Sequence, residues 1–186
     1  MSTRLMPRQP VPPLTVELVG GGTWTLGIPQ PDRFTLLVFY RGLHCPICSR
    51  QLAELERLLP EFHKRGVTPI AISSDSQERA ETARENWGID MLPVGFGLSA
   101  EDAVRWGLYL SSGRGKTSVG LQEPALFSEP AIYLVRADGT LYYGAVQTMP
   151  FARPSLAELL QAIDFAISRD YPARGEMTLP IVRAAE

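Results

Sequence analysis

The chain contains two cysteines, and they stand three positions apart in Cys45-Pro46-Ile47-Cys48. The apolar run 34–40 lies just before them and an apolar pattern of helical spacing follows, so the pair sits where a strand hands over to a helix. Thiols placed there suit redox chemistry, because the amides of a helix N-terminus stabilise a thiolate and the spacing permits a disulfide across a small ring. A purely structural pair is the weaker reading, since a free cysteine is often a small buried hydrophobe but rarely appears twice at one such junction. A metal site is the alternative from another class. His44 is badly placed to join both thiols on one ion, and His63 lies about 22 Å further along the helix axis. That leaves a two-thiolate Cu(I) site or a site shared between molecules, as in a copper-binding or chaperone module; the leading reading needs no cofactor and no metal. His44 either tunes the neighbouring thiol or is a loop histidine without a role. Arg41 is a permanent cation that lowers the thiolate pKa if it lies close, or else an ion-paired arginine of the ordinary kind.

Composition bounds the rest. With 45% hydrophobic and 20% charged residues, the 186-residue chain suits one domain, 1–186, that buries a core without disulfide staples. Residues 1–13 and 176–186 read as flexible tails. A net charge of −2 supplies no basic field, so neither nucleic acid nor an anionic membrane surface is expected as a partner. The N-terminal stretch carries prolines at 7, 10, 12 and 13 and lacks a continuous apolar run, and no later run reaches membrane-spanning length. The expectation is a soluble cytoplasmic protein, a compartment where paired cysteines point to chemistry rather than to structure.

The elements that must position the cysteines follow from periodicity. Residues 14–18 and 23–26 alternate around Gly20-Gly21-Gly22 and predict an N-terminal β-hairpin. Residues 34–40 predict a strand buried on both faces, and the helix that opens at Pro46 carries Leu52, Leu55, Leu58, Leu59 and Phe62 until Gly66. A second buried strand, 67–72, a capping region Ser74-Asp75-Ser76 and a helix 77–87 repeat the strand-helix order, which predicts parallel neighbours with right-handed crossovers. A weak strand within 91–98 and a short helix 100–108 come next. Residues 111–129, rich in Gly, Ser and Pro, read as a long irregular loop. Gly113-Arg114-Gly115-Lys116-Thr117 within it lacks the first glycine of a phosphate loop. A hairpin over 130–147 around Ala137-Asp138-Gly139 and a helix 155–168 complete the pattern. Trp24, Trp87 and Trp106 read as core or core-edge packing, with Trp24 or Trp106 a fluorescence reporter if either lies near the dithiol.

Phe39-Tyr40-Arg41-Gly42-Leu43-His44-Cys45-Pro46-Ile47-Cys48, the segment Ala71-Ile72-Ser73-Ser74-Asp75-Ser76 and the strand pair around Ala137-Asp138-Gly139 together resemble the peroxiredoxin-like (AhpC/TSA, redoxin) branch of the thioredoxin-like superfamily. The similarity spans roughly residues 14–170 and implies an α/β thioredoxin-like fold: a central mixed β-sheet flanked by helices, with an N-terminal β-hairpin. It also implies a thiol peroxidase or thiol-disulfide oxidoreductase, acting on a hydroperoxide or a protein disulfide and recycled by a thioredoxin- or glutathione-type reductant. A homodimer is common among such proteins.

Two registers compete. In a thioredoxin-like register Cys45 attacks, Cys48 resolves, and Pro130 matches the proline that lies in cis beside the dithiol. In a peroxiredoxin register Cys48 attacks, but Cys45 and Arg41 replace the usual Thr or Ser and Pro, and Ser128-Glu129-Pro130 stands where a family arginine is expected. A sulfenic acid on Cys48 has Cys45 one helical turn away, about 5–6 Å between Cβ atoms, so no distant resolving cysteine is needed. Attack by Cys45 on a disulfide reaches the same oxidised protein through a mixed disulfide. The expected site is Cys45, Cys48, Arg41 and Pro130, with the attacking thiol open.

Overall fold

The computed structural model describes residues 4–178. Nine strands and four helices are found among them. β1 (Thr15–Leu18) and β2 (Thr23–Thr25) form the N-terminal hairpin, turned by three glycines with positive φ. β3 (Phe34–Phe39), α1 (Pro46–Lys64), β4 (Val67–Ile72), α2 (Gln77–Trp87) and β5 (Val94–Phe96) follow. α3 (Ala100–Arg105) leads to β6 (Leu110–Ser112) and β7 (Leu126–Ser128), then β8 (Ala131–Arg136), β9 (Leu141–Val146) and α4 (Leu156–Ser168). The main sheet has the order β2-β1-β5-β4-β3-β8-β9. β3 runs parallel to β4 and antiparallel to β8, so the sheet is mixed as the resemblance implied.

β3 explains the layering. Its residues alternate between the two faces, as the two-residue period of a strand requires. Phe34, Leu36, Val38 and Tyr40 pack beneath α1 and α4, in one cluster with Cys45, Cys48, Leu52, Leu55 and Phe62. Leu37 and Phe39 pack on the other face with Ile70, Ile72, Trp106 and Tyr133. α1 buries Cys48, Gln51, Leu52, Leu55, Leu59 and Phe62, one stripe at helical spacing that pins the dithiol end of the helix to the sheet.

Three expectations change. The segment 111–129 is no irregular loop: β6 and β7 pair in an antiparallel arm continued by a bridge between Lys116 and Gln122. Residues 8–11, placed in a flexible tail, lie along the edge of β9, where Arg8 N donates to Leu141 O at 2.8 Å and Val11 N to Gly139 O at 3.0 Å. An uncovered strand edge leaves ladder groups unpaired, and this segment satisfies them. At the other end Glu176 pairs with Arg8 at 3.3 Å, and 179–186 lie outside the described residues. Trp24 and Trp106 pack with the sheet face opposite the dithiol, whereas Trp87 packs against the cysteine cluster through Tyr40, ring centroids 5.9 Å apart.

Candidate active site

Cys45 is the N-cap of α1. Its backbone is extended, its Sγ accepts the amide of Cys48 at 3.3 Å, and Pro46 starts the helix where a missing N–H costs nothing. Both thiols are free and buried, at 1% exposure for Cys45 and 0% for Cys48. The loop before them is fixed from β4's end: Asp75 accepts the amide of Leu43 at 2.7 Å and pairs with Arg79 at 2.8 Å. Gly42 has φ +126°, and a Cβ there would stand 2.6 Å from Asp75 Oδ2, so only glycine lets the loop pass the carboxylate. Sequence reasoning assigned Asp75 to helix capping; here it anchors the loop that presents the dithiol.

A residue that sequence reasoning missed completes the site. Arg153, between β9 and α4, donates from Nη2 to Cys48 Sγ at 3.3 Å and reaches Cys45 Sγ at 3.7 Å. Its Nη1 donates to Gln51 Oε1 at 2.7 Å and its Nε to the carbonyl of Pro150. No arginine stands at Ser128-Glu129-Pro130, where a family arginine was sought; the guanidinium that meets the thiols comes from a later segment. The only sequence signal was its bracketing by Pro150 and Pro154 ahead of a helix.

The electrostatics separate the two thiols. The Cys45 thiol is lowered to about 6 by a hydrogen bond from the Cys48 thiol; burial opposes, and the Cys48 amide, Arg153 and Arg41 add to the lowering. Cys48 is pushed well above the ordinary thiol range by its complete burial and by the charge on Cys45. Two thiols this close share one negative charge, and it rests on Cys45.

The remaining expected residues have other places. Arg41 pairs with Glu123 at 3.3 Å and Glu129 at 3.2 Å and lies over the Phe127 ring, 4.8 Å from its centroid. Its charge is balanced, and it acts on the thiolate from further off than Arg153. Pro130 is buried at the start of β8, but its peptide bond is trans; Ile28-Pro29 holds the one cis bond among the described residues. The β3–β8 ladder ends at the pair Phe39 and Ala131, and the Pro130 carbonyl accepts the amide of Gln147 at 2.9 Å, where the segment carrying Arg153 begins. His44 is fully buried edge-on to Phe127, 4.7 Å between centroids, with no partner for either ring nitrogen. Burial and then Arg41 lower it to about 4, so it is neutral and does not serve as a cation for the thiolate. Exposed His63 is at the far end of α1, and among the described residues no group of three or more His, Cys, Asp or Glu is arranged to hold a metal ion.

A cleft of about 550 Å³ lined by Arg41, Glu123, Phe127, Glu129, Pro150 and Phe151 borders the segment that holds Arg153. A further cleft, about 730 Å³ and lined by Tyr109, Tyr142, Tyr143 and Tyr171, includes neither cysteine.

A mixed sheet flanked by helices, with two cysteines at the N-terminus of the helix that follows β3, defines the thioredoxin-like fold class. The AhpC/TSA family profile matches residues 7–144, and the chain belongs to that family. It is 24% identical over 160 residues to a 1-Cys peroxiredoxin of Onchocerca volvulus, covering 80% of this chain and 62% of that protein. It is 32% identical over 82 residues to a 1-Cys peroxiredoxin of Dirofilaria immitis, 44% of this chain and 29% of that one. The chain therefore spans less than two thirds of these relatives' length. The same fold occurs in the reduced 2-Cys peroxiredoxin of Plasmodium vivax, with TM-score 0.72, 17% identity and coverage of 90% of this chain and 86% of that one. It also occurs in the peroxidoxin BcpB of Mycobacterium tuberculosis, with TM-score 0.68, 18% identity and coverage of 88% and 99%.

Proposed function

We propose that the protein is a thiol peroxidase working through a Cys-Pro-X-Cys dithiol and disulfide cycle, with Cys45 as the attacking thiolate and Cys48 as the resolving thiol. The observation that carries this reading is a buried dithiol whose two sulfurs both face the guanidinium of Arg153. The Cys45 thiolate attacks one peroxide oxygen and the O–O bond breaks. Cys45 becomes a sulfenic acid, and the departing alkoxide or hydroxide takes a proton to leave as alcohol or water. Cys48 then attacks the sulfenic sulfur; the S–S bond forms, and the hydroxyl leaves as water with the Cys48 proton. Two electrons pass from the dithiol to the peroxide. An external dithiol of thioredoxin type, or glutathione, restores both thiols through a mixed disulfide, in a reducing compartment such as the cytoplasm.

Arg153 stabilises the thiolate and the negative charge that develops on the peroxide oxygens. Arg41 supports from further away and Pro130 anchors the segment that delivers Arg153. The acidity of Cys45 at a helix N-terminus also favours a second reading, disulfide reduction with the same nucleophile. Two features weigh against it: thiols of 1% and 0% exposure admit a small peroxide more readily than a protein disulfide, and the proline expected in cis is trans.

Turnover of hydrogen peroxide and cumene hydroperoxide, set against reduction of insulin disulfides with the same thioredoxin-type reductant, separates the two. Peroxide consumption far above that of a free thiol, without insulin reduction, is the expected result; insulin reduction with ordinary peroxide reactivity sinks the proposal.

A further inference from the structure

The cation that serves the dithiol is held on its other side by a neutral side chain. Gln51 lies on α1 one turn beyond Cys48 and two beyond Cys45, on the stripe facing the sheet, and is 7% exposed. Its Oε1 accepts Arg153 Nη1 at 2.7 Å, while its Nε2 is buried with no partner. A buried donor left unsatisfied costs free energy. Glutamate, of the same size, carries no such donor and binds a guanidinium more strongly. The same site already contains that kind of binding: Arg41 is matched by both Glu123 and Glu129. Among the described residues no carboxylate pairs with Arg153.

The two arginines are therefore treated in opposite ways, one neutralised and one kept charged. A carboxylate at position 51 would satisfy Arg153 and add a second negative charge on the helix face that carries the thiols. We infer that Gln51 is a positioning residue for the thiol chemistry: it holds Arg153 on the dithiol through a neutral acceptor, so that the reacting sulfur is the anion the guanidinium faces. The inference rests on the reading of Cys45 as the reacting thiolate. The groups that act on that sulfur are Cys48 on α1, Arg153 ahead of α4 and Arg41 on the preceding loop, while Tyr40 at the end of β3 faces Cys48. Of the cations, Arg153 alone donates to both sulfurs. The arrangement also has a redox consequence. Disulfide formation removes the anion from Arg153 while Gln51 offers none in its place, so the neutral tether favours the reduced protein.

The test compares reduced wild type, Gln51→Glu and Gln51→Met by ultraviolet absorbance of the thiolate against pH, and by the disulfide fraction at equilibrium with glutathione. Gln51→Glu is expected to raise the thiolate midpoint by about 1–2 units, which at pH 7 lowers the thiolate fraction roughly twofold to tenfold and moves the glutathione equilibrium toward the disulfide by a similar factor. Gln51→Met removes the acceptor without adding charge and is expected to rise by less. Equal rises in the two variants mean a packing effect and overturn the inference. An unchanged midpoint in either variant overturns it as well, and a Gln51→Glu protein that fails to fold leaves Gln51→Met to decide. In those cases a low wild-type midpoint leaves the thiolate reading standing. Two ordinary thiols in the wild type overturn both.

Discussion

Replacing Arg153 by methionine removes the guanidinium from 3.3 Å of Cys48 Sγ and 3.7 Å of Cys45 Sγ while keeping most of the apolar stem. Two unit charges about 4 Å apart interact by roughly 4 kcal/mol at an effective dielectric of 20, which is an upper bound for this part-buried contact. A hydrogen bond to a charged partner contributes about 1.5–3 kcal/mol net, and 1.36 kcal/mol corresponds to one pKa unit, so the expected rise is about 1–2 units. The Cys48 amide and thiol remain on Cys45, whose midpoint should move from about 6 to roughly 7–8, still below a free cysteine. At pH 7 the thiolate fraction then falls from roughly nine tenths to between a half and a tenth. The assay is the pH dependence of thiolate absorbance and of alkylation by iodoacetamide, with Arg153→Lys as the variant that keeps charge and loses the fork. Arg153→Met titrating together with wild type would refute the assignment of this cation to the dithiol. A peroxide rate that stays depressed at a pH where both proteins are fully ionised measures the contact of Arg153 with the peroxide itself.

Three further outcomes follow from the geometry. Gly42→Ala forces a Cβ onto Asp75 and a side chain into a left-handed conformation, and should destabilise by about 1–3 kcal/mol in urea unfolding; wild-type stability would contradict the role of the Asp75 anchor. His44 is neutral when folded and is lowered to about 4, whereas an unfolded histidine binds a proton near pH 6.5. Its contribution to stability is therefore intact above about pH 6.5 and shrinks as pH falls toward 4, by up to about 3 kcal/mol; His44→Phe should flatten that acid limb in urea titrations at stepped pH. Glu123→Gln breaks one of two carboxylate contacts to Arg41, and limited proteolysis should cut the β6–β7 arm faster; equal cutting rates would show that the ion pair does not hold the arm.

The sheet was readable because its strands and helices carry their own periods. The run 34–40 is apolar at every position because both faces of β3 are covered, and the α1 stripe repeats at helical spacing. The arm over 110–128 was hidden, since Gly, Ser and Pro give no period and its anchoring comes from Glu123 meeting Arg41, 82 residues away in sequence. Cys45 and Cys48 were legible by type and spacing alone. Arg153 was not, because it stands 105 residues from Cys48 and is brought there by the return of β9 toward α4. Arg41 drew attention by proximity in sequence, yet the fold gives it two carboxylates. The trans bond at Pro130 was likewise beyond reach, as isomer choice depends on tertiary surroundings.

Rapid mixing of the pre-reduced protein with hydrogen peroxide, followed through tryptophan fluorescence in wild type, Cys45→Ser and Cys48→Ser, bears directly on the proposed chemistry, with Trp87 the indole nearest the dithiol cluster. Fast, saturable oxidation that survives in Cys48→Ser, leaving a sulfenic acid on Cys45, and vanishes in Cys45→Ser is the predicted result. Survival in Cys45→Ser with loss in Cys48→Ser would reverse the roles of the two thiols, and the sluggish reaction of an ordinary thiol in all three would contradict the peroxidase.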